Sequence, residues 1–521
     1  MPEESLSDLF EGVFKISGNK KAITFFRNGN IETELTYDAL QKDIILFANF
    51  LSAYNLEKGD RVILLLEKSI ITVVAGLALF KKGVIAVPLN PGFKKNELDY
   101  LLKDSKAELI MAGPGKKELI RRINPQIAIL EIPTNLSYKE IKFFRSETLP
   151  FPEKKVFKND PALIIYTSGT TGNPKGAVLT HGNLILDARN IILAWKISRD
   201  DVFCHALPLF HIHGLCFALH TALLSGAHVL MMDCFTPGAV VQILSSKKGR
   251  ETCSVFMAVP AMYTKLLDFI GEQKVDFSHI RLLTSGSAPL LEKEFYRIKQ
   301  VFKKEPVERE GMSETGMNFS NPLNGRKKPG SIGLPLKGVE VRIVDTETLG
   351  DVKKGKVGEI WLKSLSITKG YWEKPAETKA AFKDGWFKTG DLGRKDKEGY
   401  YYITDRIKHI IITGGENVSA KEVETVINQI EGVKESSVVG LPDDTWGEKV
   451  AALVEKLPGY DVSESYIKAV CKKELHDWKC PKEIKFTNNI PKNTMGKVLK
   501  QKAKELFHIK ESGSPPENTI P

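Results

Sequence analysis

Short apolar runs alternate with helical periodicity through the first part of this chain. The runs Arg61-Val-Ile-Leu-Leu-Leu66, Val84-Ile-Ala-Val87, Glu108-Leu-Ile-Met111 and Arg281-Leu-Leu-Thr284 predict buried strands, and the segments Ile70 to Lys81 and Asn96 to Lys103 predict helices. Strands apolar on both faces and separated by helices point to parallel sheets covered on both sides. From Gly330 to Tyr402 the pattern changes to alternation, as in Val339-Glu-Val-Arg-Ile-Val344, with turns at Lys354-Gly355 and Glu398-Gly399. That predicts an antiparallel, barrel-like region. After Asp405-Arg-Ile-Lys408 a smaller α/β unit is predicted. It has helices over Ala420 to Ile430 and Ser463 to Leu475, and strands at Glu435 to Leu441 and Val450 to Val454. The end, Glu511-Ser-Gly-Ser-Pro-Pro-Glu-Asn, has no apolar periodicity and is expected to be disordered.

A length of 521 residues exceeds what one core supports, so at least two domains are expected. The most apolar region, Val62 to Val87, is broken by Glu67-Lys68 and Lys81-Lys82 and is not expected to span a bilayer. The start is acidic and lacks the order of a secretion signal. Cysteines 204, 216, 234, 253, 471 and 480 show no C-x-x-C pairing, which favours reduced thiols and a cytoplasmic location. The net charge of +11 comes from scattered pairs such as Lys303-Lys304, with aromatics that do not track them, so no nucleic-acid partner is expected.

The strongest chemical signal is Tyr166-Thr-Ser-Gly-Thr-Thr-Gly-Asn-Pro-Lys-Gly-Ala177, between the apolar runs Ala162 to Ile165 and Ala177 to Leu179. Gly169, Gly172 and Gly176 let backbone N–H groups approach a ligand, Thr167, Ser168, Thr170 and Thr171 add hydroxyls, and Lys175 adds a charge. Such a loop suits nucleotide phosphates. It is not a Walker-type P-loop, because no Gly-Lys-Ser/Thr closes it before a helix.

The loop resembles the phosphate-binding signature of the adenylate-forming enzymes, and further landmarks follow in family order across residues 35–500. Pro208-Leu-Phe-His211 resembles the acid-pocket motif, Ser285-Gly-Ser-Ala-Pro-Leu290 the adenine turn, and Gly311-Met-Ser-Glu314 the segment after it. Gly390-Asp391 resembles the ribose site, Asp405-Arg406-Ile-Lys408 the hinge, and Pro491-Lys-Asn-Thr-Met-Gly-Lys497 the C-terminal catalytic lysine. The resemblance implies an α/β fold with a large N-terminal domain, 1–407, of two α/β sheet subdomains plus a small β-barrel. A small mobile C-terminal α/β domain, 408–510, and a tail, 511–521, follow. It also implies an acyl-CoA synthetase that uses ATP, Mg²⁺ and coenzyme A to convert a carboxylate into an acyl-adenylate and then a thioester.

The roles implied are specific. Glu314 holds the metal, and Lys497 bridges carboxylate and phosphate, with Lys175 assisting. Ser287, Ala288, Pro289, Gly311, Met312 and Ser313 border the nucleotide, while Asp391 and Arg406 hold its ribose. Lys408 is the hinge, and Gly414 and Gly415 line the CoA channel. His211, His213, Gly214, Arg281, Gly286 and Met317 are expected around the acid. Glu310 stands where the family carries an aromatic ring, so weaker adenine stacking is expected, at a cost of about 1–3 kcal/mol.

Phe256-Met-Ala-Val-Pro260, Ser285 to Ala288 and Glu314-Thr-Gly-Met-Asn318 are most similar to malonyl-CoA synthetases. Arg281 would then meet the second carboxylate, or it only caps its strand. A fatty-acid substrate, a carrier-protein acceptor, a catalytically weakened homologue and an oligomeric state all stay open.

Overall fold

The structure is a computed structural model in which residues 4–145, 154–167, 173–247, 249–494 and 496–508 are described. The chain forms two compact units, one of residues 1–341 with 361–388, the other of 342–360 with 389–521.

The larger unit carries the two α/β sheets. In the six-stranded sheet, Arg61–Leu65, Ile85–Pro88 and Leu109–Ala112 pair in parallel, as their all-apolar runs required. Helix Ile70–Lys82 is buried on nearly every side, which explains its lack of an amphipathic stripe. The strands Pro161–Thr167 and Lys175–Thr180 close that sheet as an antiparallel pair. In the nine-stranded sheet, Val202–His205, Val255–Ala258, Leu282–Ser285 and Val307–Met312 run parallel near the centre. Their carboxyl ends lead into the acid-pocket motif and the adenine turn, where open α/β sheets place ligands. Helix His181–Trp195 starts at a reciprocal cap: the Thr180 hydroxyl accepts from the Asn183 N–H, and the Asn183 side chain accepts from the Thr180 N–H.

The smaller unit is built on Glu416–Ser419, Ile410–Thr413, Gly447–Lys456 and Val433–Asp443, with Glu483–Thr487 added in parallel to Gly447–Lys456. Helices Ala420–Asn428 and Glu464–Glu474 cover it through Val423, Ile427 and Ile467. The smaller unit also takes in Tyr401–Arg406. The reason is local. Asp405 accepts from the Ser419 hydroxyl at 2.6 Å and the Lys421 N–H at 3.0 Å, so it holds the start of helix Ala420–Asn428.

The alternating region expected over 330–402 forms a five-stranded sheet in which Trp386–Lys395 pairs antiparallel with Tyr401–Arg406. All six cysteines are free thiols; Cys234 is exposed and the others are buried. Among the described residues, no helix is long and apolar enough to cross a membrane.

Candidate active site

The ends of the phosphate loop are fixed by sheet pairing. Thr167 closes one strand, Lys175 opens the next, and the two lie directly opposite each other. Ser168, Gly169, Thr170, Thr171 and Gly172 lie outside the described residues. Glu314 reaches this stem from the turn after Val307–Met312. Its Oε1 accepts from the Tyr371 hydroxyl at 3.1 Å and from Thr167 Oγ1 at 3.4 Å. The Lys175 ammonium stands over the Tyr371 ring, 5.4 Å from its centre. Tyr371 therefore joins the metal candidate to the loop lysine. It is delivered by a segment crossing the stem, where the Trp372 N–H donates to the Gly176 carbonyl at 2.8 Å and Tyr371 bridges Ala177. Neither periodicity nor motif singled it out.

No group of three or more potential metal-ligating side chains occurs among the described residues. One buried carboxylate fits Mg²⁺, which usually takes one or two carboxylates and completes its shell with water and phosphate oxygens.

The residues expected around the acid also lie in the larger unit. The motif runs into a π-helix, His213–His220, a form concentrated at functional sites. His213 Nδ1 is 3.2 Å from Ser287 Oγ, and Ser287 is held at φ 69°, a left-handed backbone uncommon outside glycine. Gly286 is required by close approach: a Cβ there would sit 2.5 Å from Arg309 Nε.

Arg309 is the residue the sequence reading missed. It is 4% exposed, and its guanidinium lies 5.1 Å from the Phe217 ring centre and 3.5 Å from Ser287 Oγ. Its Nε and Nη1 have no hydrogen-bond partner among the described residues. Burial pushes His211 down to about 4 and His213 well below the usual range, so both imidazoles are neutral at pH 7. Arg309 is lowered by burial only to about 10 and stays charged. Met317 lies opposite Gly311, with its N–H on Asp187 Oδ1 at 2.7 Å.

Arg281 does not belong to this pocket. Its guanidinium makes two 2.6 Å contacts with Asp201 and donates to the carbonyls of Trp195 and Lys196 at 3.0 and 3.1 Å. It stands before strand Leu282–Ser285, whereas the adenine turn follows that strand.

The smaller unit holds the other candidates. Asp391 and Arg406 face each other across two strands, with Nε 2.7 Å from Oδ1. Burial raises the Asp391 carboxyl, and the charges of Arg406 and Lys497 pull it back. Lys497 is set by its own turn: its N–H donates to Asn493 Oδ1 at 2.9 Å, and Asn493 returns an N–H to its carbonyl. Lys408 lies in the short 3₁₀ turn Ile407–His409. Gly414 and Gly415, at φ 58° and 82°, make the two-residue turn between Ile410–Thr413 and Glu416–Ser419. Two successive positive φ values demand such residues for the hairpin alone.

The AMP-binding enzyme family matches residues 11–372, and the AMP-binding enzyme C-terminal domain matches residues 422–497. The chain belongs to the AMP-binding enzyme family. Among similar proteins, the mitochondrial malonate–CoA ligase ACSF3 of Bos taurus is 36% identical, over 88% of this chain and 83% of its own length. A Bacillus subtilis long-chain-fatty-acid–CoA ligase is 31% identical, over 98% of this chain and 96% of its own. The crystal structure of ATP-bound MatB from Rhodopseudomonas palustris superposes with a TM-score of 0.89 at 34% identity, covering 97% of this chain and 99% of that one. Like its relatives, this AMP-binding enzyme is an acid–CoA ligase that uses ATP, Mg²⁺ and CoA and works through an acyl-adenylate.

Proposed function

We propose that this ligase activates malonate or a similarly short dicarboxylate, whose second carboxylate meets Arg309. One observation carries the reading: a fully buried, charged guanidinium with two unpartnered nitrogens beside the adenine turn. Burying an unpaired charge is costly, and such groups are retained mainly where a ligand supplies the partner. His211 and His213, both neutral, can orient a carboxylate by hydrogen bonding without competing for the cation role.

In the first half-reaction a substrate carboxylate oxygen attacks the α-phosphorus of ATP and the bond to pyrophosphate breaks. Lys175 and the Thr167-to-Gly172 loop hold the phosphates, and Lys497 offsets the repulsion between the two anions as they meet. Glu314, steadied by Tyr371, would hold Mg²⁺, which supplies charge neutralisation to the phosphate oxygens. Asp391 accepts from the ribose hydroxyls, and Arg406 keeps it in place. Gly311, Met312, Ser313, Ala288 and Pro289 border the nucleotide. In the second half-reaction the CoA sulfur bonds the acyl carbon, AMP departs, and the thiol proton leaves to solvent. Lys408 is the hinge in this reading, and Gly414 and Gly415 line the pantetheine path. The free cysteines support a cytoplasmic location.

A second reading rests on the apolar cavity behind the same motif, lined by Leu66, Val73, Leu89, Phe210, Leu215 and Leu219. A fatty acyl chain would gain about 0.8 kcal/mol per methylene buried there. Arg309→Met separates the two. Malonate turnover should fall by about two orders of magnitude or more, with butyrate spared, the result expected when one partner of a buried charge pair is removed. Equal turnover of malonate by both proteins, or wild-type kcat/KM climbing with chain length and ignoring malonate, sinks the dicarboxylate reading.

A further inference from the structure

Both ends of the phosphate loop and the segment that delivers Tyr371 are tied to one side chain, Asp104. It lies in the last turn of helix Lys95–Ser105, which packs on the six-stranded sheet through Leu98, Leu101 and Leu102. Its side chain is 7% exposed. Asp104 Oδ2 accepts from the Tyr166 hydroxyl at 2.8 Å, and Oδ1 meets the Lys374 ammonium at 2.5 Å. The Tyr100 hydroxyl, on the same helix, stands 3.1 Å from Oδ1 and 2.9 Å from the Pro174 carbonyl.

The partners are adjacent in the chain to site residues. Tyr166 precedes Thr167, Pro174 precedes Lys175, and Lys374 follows Tyr371 in the crossing segment. Neighbouring strand residues point to opposite faces, so Thr167 turns toward Glu314 while Tyr166 turns away from it, toward Asp104. The Tyr166 ring lies across its strand partner: a Cβ on Gly176 would sit 3.3 Å from Tyr166 Cζ. Asp104 thus grips the loop stem from the face opposite Glu314 and acts through the groups it holds.

We propose that Asp104 is a positioning residue for the adenylation step. It fixes the Thr167 and Lys175 ends of the loop relative to each other and holds the Tyr371 segment against them. The inference rests on Lys175 holding the ATP phosphates, as proposed above. A carboxylate that accepts from a phenol and an ammonium in a nearly closed site makes strong, directional bonds. Losing them lets the two arms of the stem and the crossing segment relax independently. The Lys175 ammonium stands over the Tyr371 ring, and the Tyr371 hydroxyl donates to Glu314, so such a shift displaces the loop cation and the metal carboxylate together. Misplacing a reacting group by about 1 Å can cost about 10²-fold. Thioester formation from acyl-AMP no longer involves the departing phosphates, so it should not feel the change.

The test is ATP–pyrophosphate exchange without CoA, using whichever of malonate, butyrate and octanoate turns over fastest. Asp104→Ala should lower kcat/KM for ATP by about tenfold, while conversion of supplied acyl-AMP to acyl-CoA stays within about twofold of wild type. In a Lys175→Ala background the same substitution should cost less than about twofold, because the group it aims is gone. Additive losses from the two substitutions, or equal losses in both half-reactions, make Asp104 a fold anchor and overturn the inference. Impaired exchange in Lys175→Ala with normal exchange in Asp104→Ala overturns the inference alone. Normal exchange in Lys175→Ala overturns the phosphate reading and this inference with it. If Asp104→Ala does not fold, Tyr166→Phe deletes one hydroxyl and replaces it in the same cycle, with the same loss of effect expected in the Lys175→Ala background.

Discussion

Arg406 in the smaller unit meets Asp391 at 2.7 Å, whereas Arg309 in the larger unit has two guanidinium nitrogens with no hydrogen-bond partner among the described residues. Both lie at strand positions. The paired arginine is a fixture: its charge is answered by Asp391, the carboxylate we propose for the ribose hydroxyls. The unpaired one is a question put to the substrate. The neighbours of Arg309 are the Ser287 hydroxyl, the Phe217 ring and the charge of Glu310, so the two remaining nitrogens are informative in a way that the completed pair is not.

That contrast can be broken in four ways. Lys497→Ala removes the reacting cation of the smaller unit. It should slow adenylate formation by about 10²–10³-fold while supplied acyl-AMP is still converted to acyl-CoA, because one electrostatic stabiliser is lost from one step only. Stopped-flow measurement of both half-reactions checks this, and equal losses would remove Lys497 from its role. Arg309→Met, the selecting cation, should instead cost about 10²-fold or more on malonate and little on butyrate.

Stability should separate the two arginines in sign. Arg406→Met leaves Asp391 buried and unanswered and should lower stability by about 1–3 kcal/mol. Arg309→Met removes a buried guanidinium whose hydrogen bond to Ser287 Oγ is 3.5 Å long, and should raise stability by about 1–4 kcal/mol. Urea midpoints moving in the same direction would show that Arg309 has a structural partner after all. The smallest effect is expected at Glu310. Glu310→Tyr should lower the KM for ATP several-fold, within the about 1–3 kcal/mol of one stacked base, with kcat unchanged.

Legibility followed how local each cue was. Lys175, Glu314, Asp391, Arg406 and Lys497 stand out in the sequence as candidates because each lies in a short contiguous motif. Arg281 was not, although strand arithmetic argues against it. It precedes Leu282–Ser285 and Gly286 follows, so five residue steps, roughly 16 Å at about 3.3 Å per residue, separate them. Arg309 had a signal that the Glu310 substitution next to it obscured. On strand Val307–Met312 it shares a face with Val307 and Gly311, an apolar and small-residue setting in which arginine is out of place. The π-helix and the crossing segment that delivers Tyr371 had no sequence cue, because their geometry depends on partners distant in the chain. Gly414 and Gly415 show the opposite hazard: a hairpin turn accounts for them before any ligand does.

The cysteines set out a practical chemistry. Five are buried, while Cys234 is exposed just after strand His228–Met232, so an alkylating dye has one place to go. Partial burial and the adjacent Asp233 raise its thiol, and thiolate is the reactive form. Labelling should be slow at neutral pH and quicken as pH rises. The unaltered chain thus carries a single-site attachment point on its larger unit, to which a fluorophore can be tied without engineering a cysteine.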